Sequence, residues 1–293
     1  MPGSALALVI LAGLIHACWN IVAKKIGGDA RFALFTSALL MVVWAPLGIW
    51  FSWQQVPDWG WPEFWVLVAS GALHVGYYLV LLRGYRNADL TVVYPLARGS
   101  GPLLSSTMAI LFLGEQLSAW GAVGIAAVVG GVFLVAGGPS LFRKAHDPAQ
   151  RRRVRLGIFY GVVTGIFIAA YTVVDGWGVK VLRMSPILLD YLGTLVRIVI
   201  LLPIVVPLRA GIGAVWRAQW KGALLVAAVS PIAYVLVLYA MQVAPLSHVA
   251  PAREVSMLFA ALIGGHLLAE GDRAMRILGA ACIAFGVMAL AVG

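Results

Sequence analysis

Apolar residues run unbroken for about twenty positions at a time along this chain, with short polar intervals between the runs. "GAVGIAAVVGGVFLVAGG" (121–138) is representative. Runs of this length cross a hydrocarbon core as helices, whereas the strands of a membrane barrel alternate apolar and polar positions. Ten such runs occur, at about 4–23, 32–52, 63–83, 90–113, 118–137, 156–175, 185–207, 221–241, 246–268 and 274–292. The pattern predicts an all-α, polytopic membrane protein with ten transmembrane helices. The N-terminal "MPGSALALVILAGLIHACWN" lacks a positive n-region and an A-x-A cleavage pattern, so it is expected to be a retained first helix. The longest polar stretch is "FRKAHDPAQRRRVR" (Phe142–Arg155), and no soluble domain is predicted.

The chain also repeats. A shift of 156 lays "DLTVVYP" (Asp89–Pro95) on "PLSHVAP" (Pro245–Pro251) and Tyr78 on Tyr234. A shift of 155 then lays Arg98 on Arg253, "LGE" (Leu113–Glu115) on "LAE" (Leu268–Glu270), and Gly124 and Gly131 on Gly279 and Gly286. Near the start of each half, Gly13 and Trp19 match Gly165 and Tyr171. The organisation expected is a first five-helix repeat (1–141), a basic cytoplasmic linker (142–155) and a second repeat (156–293). Five is odd, so halves with the same internal fold must be inverted in the bilayer. Inverted repeats underlie many alternating-access transporters, with the substrate site at the repeat interface.

Composition agrees with this pattern. The chain is 62% hydrophobic and 11% charged, against about 25% charged in soluble domains. Its net charge of +10 would suggest nucleic acid in a soluble protein. Here the bases lie between apolar segments, so the expected partner is the lipid bilayer, with no nucleic acid. Lys24, Lys25, Arg31, Arg83, Arg86, Arg143, Lys144, Arg151, Arg152, Arg153, Arg155, Arg209, Arg217, Lys221, Arg273 and Arg276 fall on one set of loops. The opposite set has only Lys180 and Arg183. This predicts basic loops in the cytoplasm and both termini outside a bacterial-type inner membrane. "SWQQVPDWGWPEFW" (52–65) reads as an external turn with an aromatic belt. Cys18 and Cys282 lie in apolar segments and imply no disulfide framework.

"HACWNIVAKK", "DLTVVYPLARGSGPLL" and "PLSHVAPAREVSMLFAALIGGHLLAE", set in two five-helix halves, resemble the EamA family of the drug/metabolite transporter superfamily over nearly the whole chain. The resemblance implies a transporter with a small-molecule substrate, commonly an exporter of amino acids, aromatic ones included, or of related metabolites. Lipid-linked metabolite flippases and multidrug or cation exporters of the superfamily are the alternative. The small four-helix multidrug members use a glutamate in helix one for proton antiport. This chain has His16 and Asn20 there and no acidic residue.

Several polar residues stand inside the predicted spans. A charge near mid-membrane costs at least about 2.5–3.5 kcal/mol and normally faces protein or water. Arg98 and Arg253 each lie roughly 11 Å into a helix, at mirrored depths. Three roles are open: each supports a gate on its own face, caps carbonyls freed by the nearby proline, or binds a substrate carboxylate. Pro95 and Pro251 each remove a backbone donor, marking a kink or gate. Glu254 is expected to neutralise a nearby cation. Trp19, Tyr78, Tyr94, Tyr171 and Tyr234 are candidates to line a cavity and hold substrate. The i,i+4 pairs His16/Asn20 and His74/Tyr78 put polar stripes on two helices. Asp175 is expected to pair with Lys180, and His248 to lie at the interface. The glycines Gly124/Gly131 and Gly279/Gly286, each pair two turns apart, suit close packing within a monomer, with a dimer contact as the alternative. Neither catalytic, cofactor nor metal-ligand motifs are found, so the chain is not expected to be an enzyme.

Overall fold

The computed structural model describes residues 1–26, 28–88, 90–135, 148–263 and 273–293, and every regular element among them is helical. In chain order these are α1 (Gly3–Ile26), α2 (Ala30–Val43), α3 (Ala45–Gln55), α4 (Trp61–Asn87), α5 (Leu90–Leu113) and α6 (Ala119–Val135). The second half holds α7 (Pro148–Lys180), α8 (Pro186–Val205), α9 (Ile212–Val243), α10 (Leu246–Ala252), α11 (Val255–Ile263) and α12 (Arg273–Val292). Asp89, Phe142–Asp147 and Leu268–Glu270 lie outside the described residues. Among those described, six helices are long and apolar enough to cross a membrane. The pair α2/α3 makes a seventh if it is one span, and α6 and Ile277–Val292 are shorter apolar helices.

Two predicted elements differ in shape. The span at 32–52 is bent by 69° between α2 and α3. Pro46 stands in the first turn of α3, where its missing N–H is tolerated, while its ring prevents the preceding helix from continuing straight. Residues 148–155, expected to be linker, are instead the first two turns of α7. That helix has 33 residues, or about 50 Å at 1.5 Å per residue. It exceeds a hydrocarbon core of about 30 Å, and Arg151, Arg152, Arg153 and Arg155 are exposed on its overhang.

Glycines set the contacts between the halves. A side chain on Gly131 would come within 2.7 Å of the Gly279 carbonyl, and one on Gly124 within 2.9 Å of the Gly286 carbonyl. The sequence repeat pairs Gly124 with Gly279 and Gly131 with Gly286, so α6 and α12 meet antiparallel and reciprocally, as two-fold-related surfaces do. Gly13 likewise lets α1 press on Val255 and Ser256 of α11, and Gly165 lets α7 press on Ser100 and Gly101 of α5. The partners of Gly13 and Gly165 are themselves repeat mates. These close backbone approaches explain why small residues recur at matched positions.

The prolines behave differently in the two halves. Helix α5 runs through Pro95 and Pro102 without interruption. The equivalent segment stops at Ala252 and restarts at Val255, with Arg253 and Glu254 in the turn. Pro251 deprives the Ser247 carbonyl of its helical donor. The Ser106 hydroxyl of α5 replaces that donor at 2.9 Å. A serine from the other half, rather than an arginine, therefore caps the freed carbonyl.

The two ends of the bundle are tied separately. At one end the Met1 ammonium donates to the Ala291 carbonyl at 2.9 Å, and Glu115 accepts from the backbone N–H groups of Leu246 and Ser247, both at 2.8 Å. At the other, Asp29 pairs with Arg31 at 2.8 Å, and Arg31 Nη1 donates to the Ala210 carbonyl at 3.3 Å.

Candidate functional site

Arg98 and Arg253 come together in the bundle. Both reach the break between α10 and α11. Arg98 Nε stands 3.0 Å from Glu254 Oε2, and Arg98 Nη2 donates to Ser256 Oγ at 2.8 Å. Beside them Tyr94 donates to Met257 Sδ at 3.4 Å. The reason for the convergence is local. The turn after Pro251 holds Glu254 N on the Pro251 carbonyl at 2.9 Å and Ser256 N on the Arg253 carbonyl at 3.2 Å. This fixes the start of α11, and close contact at Gly13 seats it against α1. Glu254 is almost fully buried, at 1% exposure, and answers the Arg98 charge as expected. Arg253 is also buried, yet its Nε has no hydrogen-bond partner among the described residues. Its charge interacts with Tyr171, Glu254, Arg98 and Tyr234. The trio therefore carries one positive charge beyond what Glu254 neutralises.

An aromatic wall stands beside this charge. The His74 ring stacks on Tyr171 with centroids 4.1 Å apart and meets Tyr234 edge-on at 5.6 Å. Its Nδ1 is held by the Ser70 carbonyl at 2.9 Å. Tyr77 adds an edge contact to Tyr171 at 5.9 Å. Tyr234 donates its hydroxyl to Asp175 Oδ2. The charges of both arginines also reach His16 on α1. His16, His74, Tyr77, Tyr94, Arg98 and Tyr234 keep part of their surface accessible although they sit within the bundle.

Other candidates fall elsewhere. Tyr78 donates to the Asp29 carbonyl at 3.0 Å and so pins the loop before α2 instead of facing the wall. Trp19 packs with Phe32, Ala223 and Val226, touching His16 only by its edge at 4.8 Å. Asn20 is half-buried one position further on. Pro95 and Pro251 are buried on either side of the ion pair. His248 is buried at 3% exposure in the first turn of α10. Asp175 pairs with Tyr234, while Lys180 pairs with Glu115 at 2.9 Å. Burial pushes the Glu115 carboxyl up, but the N–H groups of Ser247 and Leu246 and the Lys180 ammonium outweigh it and hold the carboxyl below its usual range. Among the described residues no cluster of His, Cys, Asp and Glu could hold a metal ion.

Sequence reasoning passed over Tyr77 and the intramembrane pair Asp190–Arg197, joined at 2.7 Å on α8. Opposite charges seven residues apart, on one face of an apolar run, were the available signal for that pair. Nothing local distinguishes Tyr77 from Tyr78. An apolar cleft of about 230 Å³ between α5 and α6, lined by Leu103, Ser106, Thr107, Ile110 and Ile125, shares none of these charged or aromatic groups.

A bundle of membrane-length helices in two matched halves, with a buried charged centre between them, defines a polytopic membrane transport protein. The EamA-like transporter family matches residues 3–137 and 155–292, and the chain belongs to that family, within the drug/metabolite transporter superfamily. A solved structure described only as "Crystal structure of protein" shares the fold at 16% identity, with a TM-score of 0.73, over 100% of this chain and 98% of that one. The comparison with curated proteins returns no match.

Proposed function

We propose that the protein is an alternating-access exporter of amino acids, aromatic ones included, or of closely related carboxylate metabolites. The observation that carries this reading is Arg253, a buried side chain whose Nε has no hydrogen-bond partner among the described residues, set among Tyr171, Tyr234 and the Arg98–Glu254 pair. A guanidinium offers a planar fork to a carboxylate, and the tyrosines and His74 offer faces for an ammonium or an aromatic side chain. Arg98, Tyr94 and His16 add polar groups beside them. On this reading ten segments cross the membrane, α2/α3 and α10/α11 each as one broken span, with the halves inverted. The antiparallel, reciprocal contact of α6 with α12 supports the inversion. The end holding Met1, Glu115 and Lys180 faces outward. The protein works as a monomer in a bacterial-type inner membrane. The surplus positive charge at the centre argues against a cation exporter, and the apolar character of the α5/α6 cleft argues against a lipid-linked polar cargo.

Counterflow of radiolabelled amino acids in proteoliposomes tests the proposal. Uptake by the wild type, weakened in Arg253→Leu, is expected. No counterflow across a broad amino-acid panel would overturn the cargo.

A further inference from the structure

Asp175 lies in the membrane-spanning part of α7 with no exposed surface. Its Oδ2 accepts the Tyr234 hydroxyl, while Oδ1 has no hydrogen-bond partner among the described residues. No described ion pair includes it. Among the described residues, the neighbouring elements show no cation paired with it. Helix α8 brings Arg197, already paired with Asp190 at 2.7 Å. Helix α4 brings the Ser70 hydroxyl and His74, whose Nδ1 is held by a carbonyl. Helix α9 brings Tyr234, and α7 itself contributes Tyr171. Helix α10 offers only Leu246 against Gly176. Helix α5 brings Arg98, already engaged with Glu254. Arg253, at the α10/α11 turn, interacts with Tyr171, Tyr234 and Glu254.

An ionised carboxylate so enclosed is strongly disfavoured, and such groups inside membranes serve as proton carriers. Tyr234 is partly accessible and holds Asp175 by its hydroxyl. We propose that Asp175, reached through Tyr234, is the proton-binding site that couples this transporter to a pH gradient. The coupling role rests on the transport function proposed above. In the step itself the phenol passes its proton to Oδ2 as it takes another from a hydronium ion on its accessible side, leaving a water molecule. The carboxylate becomes a carboxylic acid, its charge changes from −1 to 0, and release runs back along the same bond. The neutral acid tolerates the packed arrangement of α4, α7 and α9. The anion demands hydration, so losing the proton favours a conformer in which water reaches Asp175.

Two measurements test this separately. The first needs no cargo: infrared difference spectra of the reconstituted protein are recorded across a pH titration. A protonated-carboxyl band that titrates in the wild type, disappears in Asp175→Asn and shifts in Tyr234→Phe is expected. Spectra unchanged by Asp175→Asn, in protein whose thermal unfolding matches the wild type, would overturn the site. If Asp175→Asn does not fold, an unshifted band in Tyr234→Phe overturns it instead. The second measurement is amino-acid flux. Asp175→Asn is expected to keep counterflow and lose all acceleration by a pH gradient. Wild-type counterflow indifferent to the gradient would overturn the coupling while leaving the transport reading intact. If no amino acid moves at all, the transport reading fails, and the infrared titration alone decides the proton site.

Discussion

Arg98 Nε and Glu254 Oε2 lie 3.0 Å apart, one from each half of the chain, where α10 stops and α11 begins. Glu254 is the carboxylate that neutralises this centre, and Arg98 and Arg253 both act on it. Breaking a buried pair by removing one partner costs about 3–5 kcal/mol, whereas replacing both with apolar groups is often nearly neutral. Glu254→Gln is therefore expected to lower thermal stability in detergent by that order. The double variant Arg98→Met/Glu254→Leu is expected to regain most of the loss without regaining transport. Equal stability of the single variant and the wild type would show that the pair contributes nothing.

Among the described residues Arg253 has no hydrogen-bonding partner to lose at Nε, so its replacement should leave the fold in place. A hydrogen bond to a charged group contributes about 1.5–3 kcal/mol. Arg253→Leu is thus expected to weaken the apparent cargo affinity by roughly 10- to 100-fold. Arg253→Lys should recover only part of this, because an ammonium lacks the planar fork. Concentration-dependent counterflow measures both.

At the α6/α12 contact, Gly131 and Gly130 give opposite expectations. A side chain at Gly131 would meet the Gly279 backbone, whereas one at Gly130 meets nothing within 4 Å. Overpacking costs about 1–3 kcal/mol where neighbours can move, and backbone moves less readily than side chains. Gly131→Leu should lower the unfolding temperature clearly, and Gly130→Leu should leave it near the wild-type value.

The Glu115 latch makes stability depend on acid. Its carboxyl is held below the usual carboxylate range in the folded protein. A depressed carboxylate contributes its full stabilisation above its unfolded pKa and loses it as the pH falls through the lower folded value. Thermal unfolding followed from neutral pH downward should therefore show an acid-dependent loss beginning below about pH 5. That loss should be smaller in Glu115→Gln, which can no longer lose a proton.

Orientation is open to labelling. Gln116 and Ala210 are both exposed, at the two ends tied respectively by Glu115 and by Arg31. In a chain carrying Cys18→Ser and Cys282→Ser, an impermeant thiol reagent added to intact cells should modify Gln116→Cys and spare Ala210→Cys. The reverse labelling would invert the assignment.

Much of the architecture was legible before any coordinates. Apolar runs of about twenty residues located the helical segments, because backbone polar groups in hydrocarbon must be satisfied within the helix. The matched glycines anticipated close packing, and the matched Pro–Arg pairs anticipated an unusual centre. The bend at Trp44–Pro46 escaped this reading because one proline inside an apolar run is compatible with either a straight or a bent span. Tyr77 and Tyr78 differ by about 100° around the helix, and His74 can share a face with either one.

The sequence by itself determined the membrane class, the placement of the helical segments and the duplication, since these follow from hydropathy and spacing within single stretches of chain. Only the tertiary structure decided that Arg98 and Arg253 converge on one glutamate, that Ser106 satisfies the carbonyl freed by Pro251, and that Asp175 answers Tyr234 and not Lys180. Helical periodicity establishes which residues share a face, but how each helix is rotated and how deep it sits against its neighbours depend on backbone contacts such as those at Gly13, Gly131 and Gly165. Those contacts join residues more than sixty positions apart, so no local pattern could specify which buried charge would meet which.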